Sequence, residues 1–344
     1  MNPRLIIPPK LKKGDTVGFI SPSAGLAPFA MHRIERAKKM FNKFGYKVKI
    51  ARNALKNKGY ISGSIRERVD DIHQMFRDHE VRMIIATIGG NHSNQLLNYL
   101  DYDLIKRNKK IFMGYSDNTV LHFALQSRAK LATYYGPCVM TQFGEYPEIF
   151  EYTLKYFNYA VSAEEAKKSY QVFPSDTWTE EILDWFKKED IKRPRKMKRN
   201  NGYEWLKTGV AKGPLLGGAI PSINHLAGTK YWRDPRGTIY FLDIPESNDI
   251  LKGLSISDVD SYLADLDNLG VFNVINGLIV GRPYRYSQKE VKQLKEIILK
   301  YSKNKKYPIL YNANIGHTDP IITIQYGATA KLNSRLNCLS IEVE

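Results

Sequence analysis

The sequence predicts an α/β protein in two unequal parts: a parallel sheet flanked by helices, then a strand-rich unit with few helices. Three observations carry this. Short apolar runs alternate with amphipathic stretches through the first 130 or so residues, the pattern of successive β–α units. A polar, charged stretch then interrupts the alternation at 161–210. Beyond it, short β-branched and aromatic runs outnumber the helical ones. Domains are accordingly drawn at 1–160, 161–210 and 211–344.

Element by element, "GDTVGFISPSAG" (14–25) reads as a buried strand entering a turn. "MHRIERAKKMFNKFG" (31–45) carries apolar residues at helical spacing and a glycine where a helix would stop. "YKVKIA" is a second strand, "SIRERVDDIHQMFRD" (64–78) a helix capped by Ser64, and "VRMIIATIGG" (81–90) a third strand ending in a double glycine. "NHSNQLLNYL" reads as a helix, "KKIFMGYS" as a fourth strand and "DNTVLHFALQSR" as another helix. Between 161 and 210 only "PSDTWTEEILDWF" looks regular, its two tryptophans seven residues apart. The last part begins at "GPLLGGAIPSINHLAGT" and offers strands at 237–244, 275–281, 307–313 and 321–333, with "CLSIEVE" as a fifth. Helices are expected at "ISDVDSYLADLDNLG" and at 287–301.

At 344 residues, with 43% hydrophobic and 25% charged residues, the chain has the composition of a globular protein with a sizeable core. No window approaches a membrane span, so a cytoplasmic enzyme without membrane attachment is expected. Two cysteines, Cys138 and Cys338, support neither a disulfide framework nor a cysteine zinc site. The net charge of +17 favours anionic ligands. Its densest cluster, "FKKEDIKRPRKMKRNN" (186–201), lacks interleaved aromatics and reads as an exposed connection rather than a nucleic-acid surface.

Strand ends in a parallel sheet are where ligands bind, and two such ends carry polar chemistry. In "IFMGYSDNT", Ser116 follows a strand and opens a helix. That position suits a nucleophile, with the Asp117 amide aimed at a developing oxyanion, and it equally suits a helix N-cap. Gly89 and Gly90 permit a backbone amide to approach a ligand closely, or form a tight turn. Of the seven histidines, His317 in "NIGHTDPIITIQYG" sits in a turn between strands, where a base could be held. His32, His73 and His79 read as surface residues, and His122 as packed on its helix. Asp243, at the end of "IYFLD", and Glu246 just after it are the carboxylates that could orient an imidazole.

Together the blocks "LKKGDTVGFISPSAG", "IIATIGGNHSNQLL", "IFMGYSDNT", "GPLLGGAIPSINHLAG" and "NIGHTDPIITIQYGA" resemble the LD-carboxypeptidase family of serine peptidases. The extended "GGNHSNQLL" and the tryptophan-bearing "DTWTEEILDWF" are more similar to its microcin-immunity branch than to its muropeptide branch. The resemblance implies a flavodoxin-like N-terminal domain, a β-rich C-terminal domain and a Ser–Glu–His triad between them. It also implies a homodimer that needs no metal or other cofactor. Mapped here, the triad implies Ser116 as nucleophile and His317 as base, with the Gly90 and Asp117 amides as oxyanion donors. The glutamate position falls on Asp243, one methylene shorter, so either Asp243 or Glu246 is the orienter, or activity is impaired. The implied substrate is a small peptide or aminoacyl-nucleotide amide, with Gly89 beside it and Trp185, or Trp178 nearby, stacking on the base. A muropeptide ending in D-alanine is the second reading, and a catalytically impaired binding homologue the third.

Overall fold

The computed structural model describes residues 5–343. Its first part contains strands β1 (Thr16–Ile20), β2 (Lys47–Ile50), β3 (Val81–Ala86), β4 (Ile111–Gly114) and β5 (Tyr134–Tyr135). Helices α1 (Met31–Lys43), α2 (Ile65–Arg77), α3 (Tyr102–Arg107), α4 (Thr119–Ala129) and α5 (Glu151–Val161) alternate with and follow them. Four strands then precede the last part: β6 (Ser169–Val172), β7 (Thr177–Trp178), β8 (Lys198–Arg199) and β9 (Glu204–Lys207). The last part runs β10 (Val210–Ala219), α6 (Ile220–Asn224), β11 (Ile239–Asp243), α7 (Ile256–Asn268), α8 (Val271–Val274) and β12 (Gly277–Gly281). It closes with α9 (Gln288–Tyr301), β13 (Ile309–Ala313), β14 (Ile324–Gln325), β15 (Thr329–Asn333) and β16 (Cys338–Glu342).

The first sheet has the order β14-β5-β4-β3-β1-β2, parallel from β5 to β2, so both neighbours of β3 share its direction. Every residue of β1 and β4 is buried, which is why both read as continuous apolar runs. The helices cover the sheet with apolar stripes. In α1 the stripe is Ile34, Ala37 and Phe41, at helical spacing. In α2 the start is set by a capping box between Ser64 and Glu67. The chain reverses its winding between β1 and β3, so the loops after these strands diverge and leave a crevice at their carboxyl ends. Ser116 lies one strand away, at the end of β4.

The second sheet has the order β6-β16-β15-β10-β11-β12-β13-β9. Strands β10 to β13 are parallel, so Asp243 at the end of β11 and the turn after β13 lie at the same edge. Strand β10 changes partners midway: Val210–Pro214 pairs antiparallel with β15, and Leu215–Ala219 pairs parallel with β11.

Three expectations need correction. "NHSNQLLNYL" forms only a 3-10 turn at Ser93–Leu96, because the Asp117 carboxylate accepts from the His92 and Ser93 amides and Arg68 donates to the His92 carbonyl. "PSDTWTEEILDWF" contributes β7 and turns rather than a helix, and the segment around it supplies β6 and β9, the two edges of the second sheet. The run at 321–333 is two strands: Gly327, with φ of +82°, turns the chain, and β14 joins the first sheet by pairing with β5. No helix among the described residues is long and apolar enough to cross a membrane.

Candidate active site

Ser116 adopts φ of +63°, a left-handed conformation that a non-glycine residue holds only under constraint. The constraint comes from both sides. Its amide donates to the Tyr135 hydroxyl at 3.2 Å, and its carbonyl accepts from Thr119 Oγ1 at 2.7 Å. Thr119 Oγ1 also accepts from the Ala219 amide of β10 at 3.1 Å, which ties the second sheet to the serine's turn. The Ser116 side chain caps no helix, and its hydroxyl makes no hydrogen bond to a described residue. The N-cap alternative is thereby removed.

Tyr135, which no feature of the sequence singles out, joins this turn to the acid. Its hydroxyl donates to Asp243 Oδ2 at 2.5 Å. Burial, then the Asp243 charge, holds its pKa well above the ordinary phenol value, so the hydroxyl keeps its proton. Asp243 is fully buried and lies 2.8–3.0 Å from His317 Nδ1 through its two oxygens. The shorter aspartate therefore reaches the imidazole. Room for it comes from Gly316, at φ of +98°, where a Cβ would lie 1.8 Å from Asp243 Oδ1. Glu246 approaches the other ring nitrogen, with Oε2 at 3.5 Å from Nε2, too loosely for a hydrogen bond. His317 Nε2 is buried and has no hydrogen-bond partner among the described residues. Burial alone would lower the imidazole pKa, but Asp243, Glu246 and Asp319 outweigh it and raise the value to about 9. The Tyr115 ring, 4.9 Å away, packs against the imidazole.

On the opposite side of Ser116, a Cβ at Gly89 would come within 3.0 Å of its hydroxyl, so only glycine lets β3's loop pass this closely. Gly90 follows with φ of +142°, and its amide donates to no described residue. The Asp117 amide lies in the first turn of a short helix, where no intrahelical acceptor exists. The Asp117 carboxylate pins the His92–Ser93 backbone behind them.

Comparison with known proteins matches both parts of the chain. The model of the LD-carboxypeptidase N-terminal domain covers residues 17–136, and that of the C-terminal domain covers 212–332. The chain belongs to the LD-carboxypeptidase family. Among its relatives, MccF, the microcin C7 self-immunity protein of Escherichia coli, is 29% identical over 319 residues, covering 92% of this chain and 90% of its own. A solved structure of an MccF-like protein from Bacillus anthracis has a TM-score of 0.88 at 33% identity, covering 98% of this chain and 100% of that one. The structure of MccF in complex with aspartyl sulfamoyl adenosine also has a TM-score of 0.88, at 28% identity over 99% of each chain. The chain is thus a peptidase-family hydrolase.

Neither LD-carboxypeptidase model covers residues 137–211, the stretch that holds Trp178 and Trp185. Trp185 packs on the first sheet's helical layer, with the Arg33 guanidinium 4.2 Å over its ring. Trp178 is flanked by Lys198 at 4.8 Å and Arg282 at 4.7 Å. Its neighbour Thr179 exchanges backbone hydrogen bonds of 2.7 and 2.9 Å with Asp319, two residues past His317.

The basic stretch is wired into the fold rather than simply exposed. Arg195 lies 2.6 Å from both Asp319 and Glu145, and its side chain is only 14% exposed. Gln142 donates to Asp319 from the other side at 3.0 Å. His32 is not a plain surface residue, since its Nε2 lies 2.8 Å from the buried Asp190. His73 accepts from the Asp101 amide at 2.8 Å. His122 is buried, as its position on an apolar helix implies, and burial lowers its pKa to about 4.

Proposed function

We propose that this chain is a serine hydrolase that cleaves an amide bond in a small peptide or an aminoacyl-nucleotide conjugate. The observation that carries the reading is one hydrogen-bonded chain, from the Ser116 amide through Tyr135 and Asp243 to His317, whose buried Nε2 makes no hydrogen bond among the described residues. In this mechanism Ser116 Oγ bonds to the substrate carbonyl carbon while its proton passes to His317 Nε2. The carbonyl oxygen takes up negative charge between the Gly90 and Asp117 amides. Collapse breaks the C–N bond, and His317 returns the proton to the departing nitrogen. A water molecule, deprotonated by the same imidazole, then releases the acyl group from Ser116. Asp243 fixes the Nδ1–H tautomer and offsets the imidazolium charge.

The nucleotide part of the reading rests on similarity to MccF, whose structure is known with aspartyl sulfamoyl adenosine, and on the cation-flanked Trp178 near the His317 loop. An indole face accepts any base. The family is described as LD-carboxypeptidase, and the second substrate to test is a peptide ending in D-alanine. Mass spectrometry after incubation with an aspartyl-adenylate amide analogue and, separately, with a D-alanine-terminated tetrapeptide distinguishes them. Cleavage of the first is the expected result. Cleavage of only the tetrapeptide would move the assignment to the second substrate, and cleavage of neither would overturn both substrate readings in favour of a catalytically impaired binding homologue.

A pH profile checks the base. A general base must be neutral, and the His317 pKa lies near 9, so kcat/KM should rise about tenfold per unit from pH 6 to 8 and level off near 9. The contribution of the protonated pair to stability runs the other way. It is complete below the ordinary value of 6.5 and is lost as pH rises through about 9. A limb centred at 6.5 would mean that His317 is free of its three carboxylates when it acts.

A further inference from the structure

Tyr135 is buried on the two-residue strand β5, and the fold fixes its ring before its hydroxyl makes any bond. Its backbone pairs with Gly114 of β4 on one side and Ile324 of β14 on the other. The ring packs against Phe241 of β11 and Tyr326, with centroids at 5.3 and 6.4 Å. The direction of each hydroxyl bond follows from its partner. The Ser116 amide can only donate, so the phenol oxygen accepts from it at 3.2 Å. The Asp243 carboxylate can only accept, so the phenol proton points at Oδ2. Burial, then the Asp243 charge, keeps that proton on the phenol.

Among the described residues, only Tyr135 and His317 donate hydrogen bonds to the fully buried Asp243 carboxylate. A buried carboxylate with a single donor would draw all its compensation from the imidazole. With the phenol on Oδ2, the charge is shared between donors held by different parts of the fold: Tyr135 by the first sheet, His317 by the turn after β13. Other charged and titratable groups also surround the imidazole. Glu246 lies 3.5 Å from Nε2, Asp319 is paired by Arg195, the Tyr115 ring packs on it, and Arg282 donates to the adjacent Thr318. Around Tyr135 lie Tyr115, Tyr326 and His122, which burial keeps neutral. None of these side chains bonds to the Tyr135 hydroxyl, so removing that hydroxyl isolates its effect.

We propose that Tyr135 is a positioning residue for both members of the reacting pair: through Asp243 Oδ2 it fixes the His317 imidazole, and through the Ser116 amide it holds the turn that carries the nucleophile. It acts through these residues rather than on the substrate. Only the kinetic consequence of the proposal rests on the hydrolase reading. The effect on the imidazole stands without it.

The test follows the His317 imidazole by NMR titration of the full chain with isotope-labelled histidine, its signal assigned by its loss in His317→Gln. In the wild type the midpoint should lie near 9. Tyr135→Phe keeps the ring and removes the hydroxyl. Asp243 then leans on His317 alone, so the imidazole holds its proton more tightly and the midpoint should rise by about half a pH unit or more. In an Asp243→Asn background the same substitution should leave the midpoint in place, because the route through the carboxylate is gone. A fluorinated tyrosine at position 135 keeps the shape and donates more strongly, so it should lower the midpoint; it also decides the matter if Tyr135→Phe does not fold. With the aspartyl-adenylate amide analogue, Tyr135→Phe should lower kcat about tenfold or more and change KM by less than about threefold. The proposal is overturned by a Tyr135→Phe midpoint that does not rise, by an equal rise in the Asp243→Asn background, by a fluorinated ring that does not lower the midpoint, or by full kcat in folded Tyr135→Phe. If the wild type cleaves neither test substrate, that counts against the hydrolase reading, and the titration alone decides the role of Tyr135.

Discussion

Ser116→Ala should lower the hydrolytic rate by on the order of 10⁴-fold or more, because the proposed mechanism has no other nucleophile and its parts act as a unit. Folding should be nearly unchanged. The Ser116 hydroxyl makes no hydrogen bond to a described residue, and the contacts that hold its turn run through its backbone to Tyr135 and Thr119. Alanine keeps both contacts, so the denaturant midpoint should shift by no more than about 0.5 kcal/mol equivalent. Retention of full activity by a well-folded variant would remove Ser116 from the mechanism. Ser116→Gly is the informative companion. It relaxes a backbone held at φ of +63°, so it should be as inactive as the alanine variant without being less stable.

The second large effect is at Asp243. Asp243→Asn keeps the shape but replaces one carboxylate oxygen with a donor, which favours the wrong imidazole tautomer. A loss of about 10⁴ in kcat is expected. Glu246→Gln should leave kcat within a few-fold, since Glu246 approaches Nε2 only at 3.5 Å while Asp243 holds Nδ1 at 2.8–3.0 Å. It should instead move the acidic limb of the pH profile to lower pH, because one of the carboxylates that raise the His317 pKa is gone. Comparable losses in the two variants would mean that Asp243 is not the orienter.

How much of this was legible in the sequence depended on the range of the interaction. Strands with continuous apolar runs, such as β1 and β4, and helices with local start signals, such as the Ser64 capping box, were readable because their causes lie within a few residues. Ser116, Asp243 and His317 stood out for the same reason, each sitting where an apolar run or a strand-linking turn ends. Tyr135 gave no signal. It is a buried tyrosine in a two-residue strand, and its acceptor lies 108 positions further on. Arg195 was hidden in a basic run whose other members pair at the surface, and only the fold brings Glu145 and Asp319 to it. The tryptophans seven residues apart suggested a helix, but the segment is held by strand edges and by Asp319, which local periodicity does not encode.

The pairing of β14 with β5 has a mechanical consequence. A strand from late in the chain completes the first sheet, and between β13 and β15 the polypeptide crosses from one sheet to the other and back. A clamshell motion that swung the lobes apart would tear this ladder, along with the bond from the Tyr326 hydroxyl to the Gly217 carbonyl and the bond from Ala219 to Thr119. Each is a buried hydrogen bond whose loss leaves polar groups stranded. The lobes are therefore riveted rather than hinged.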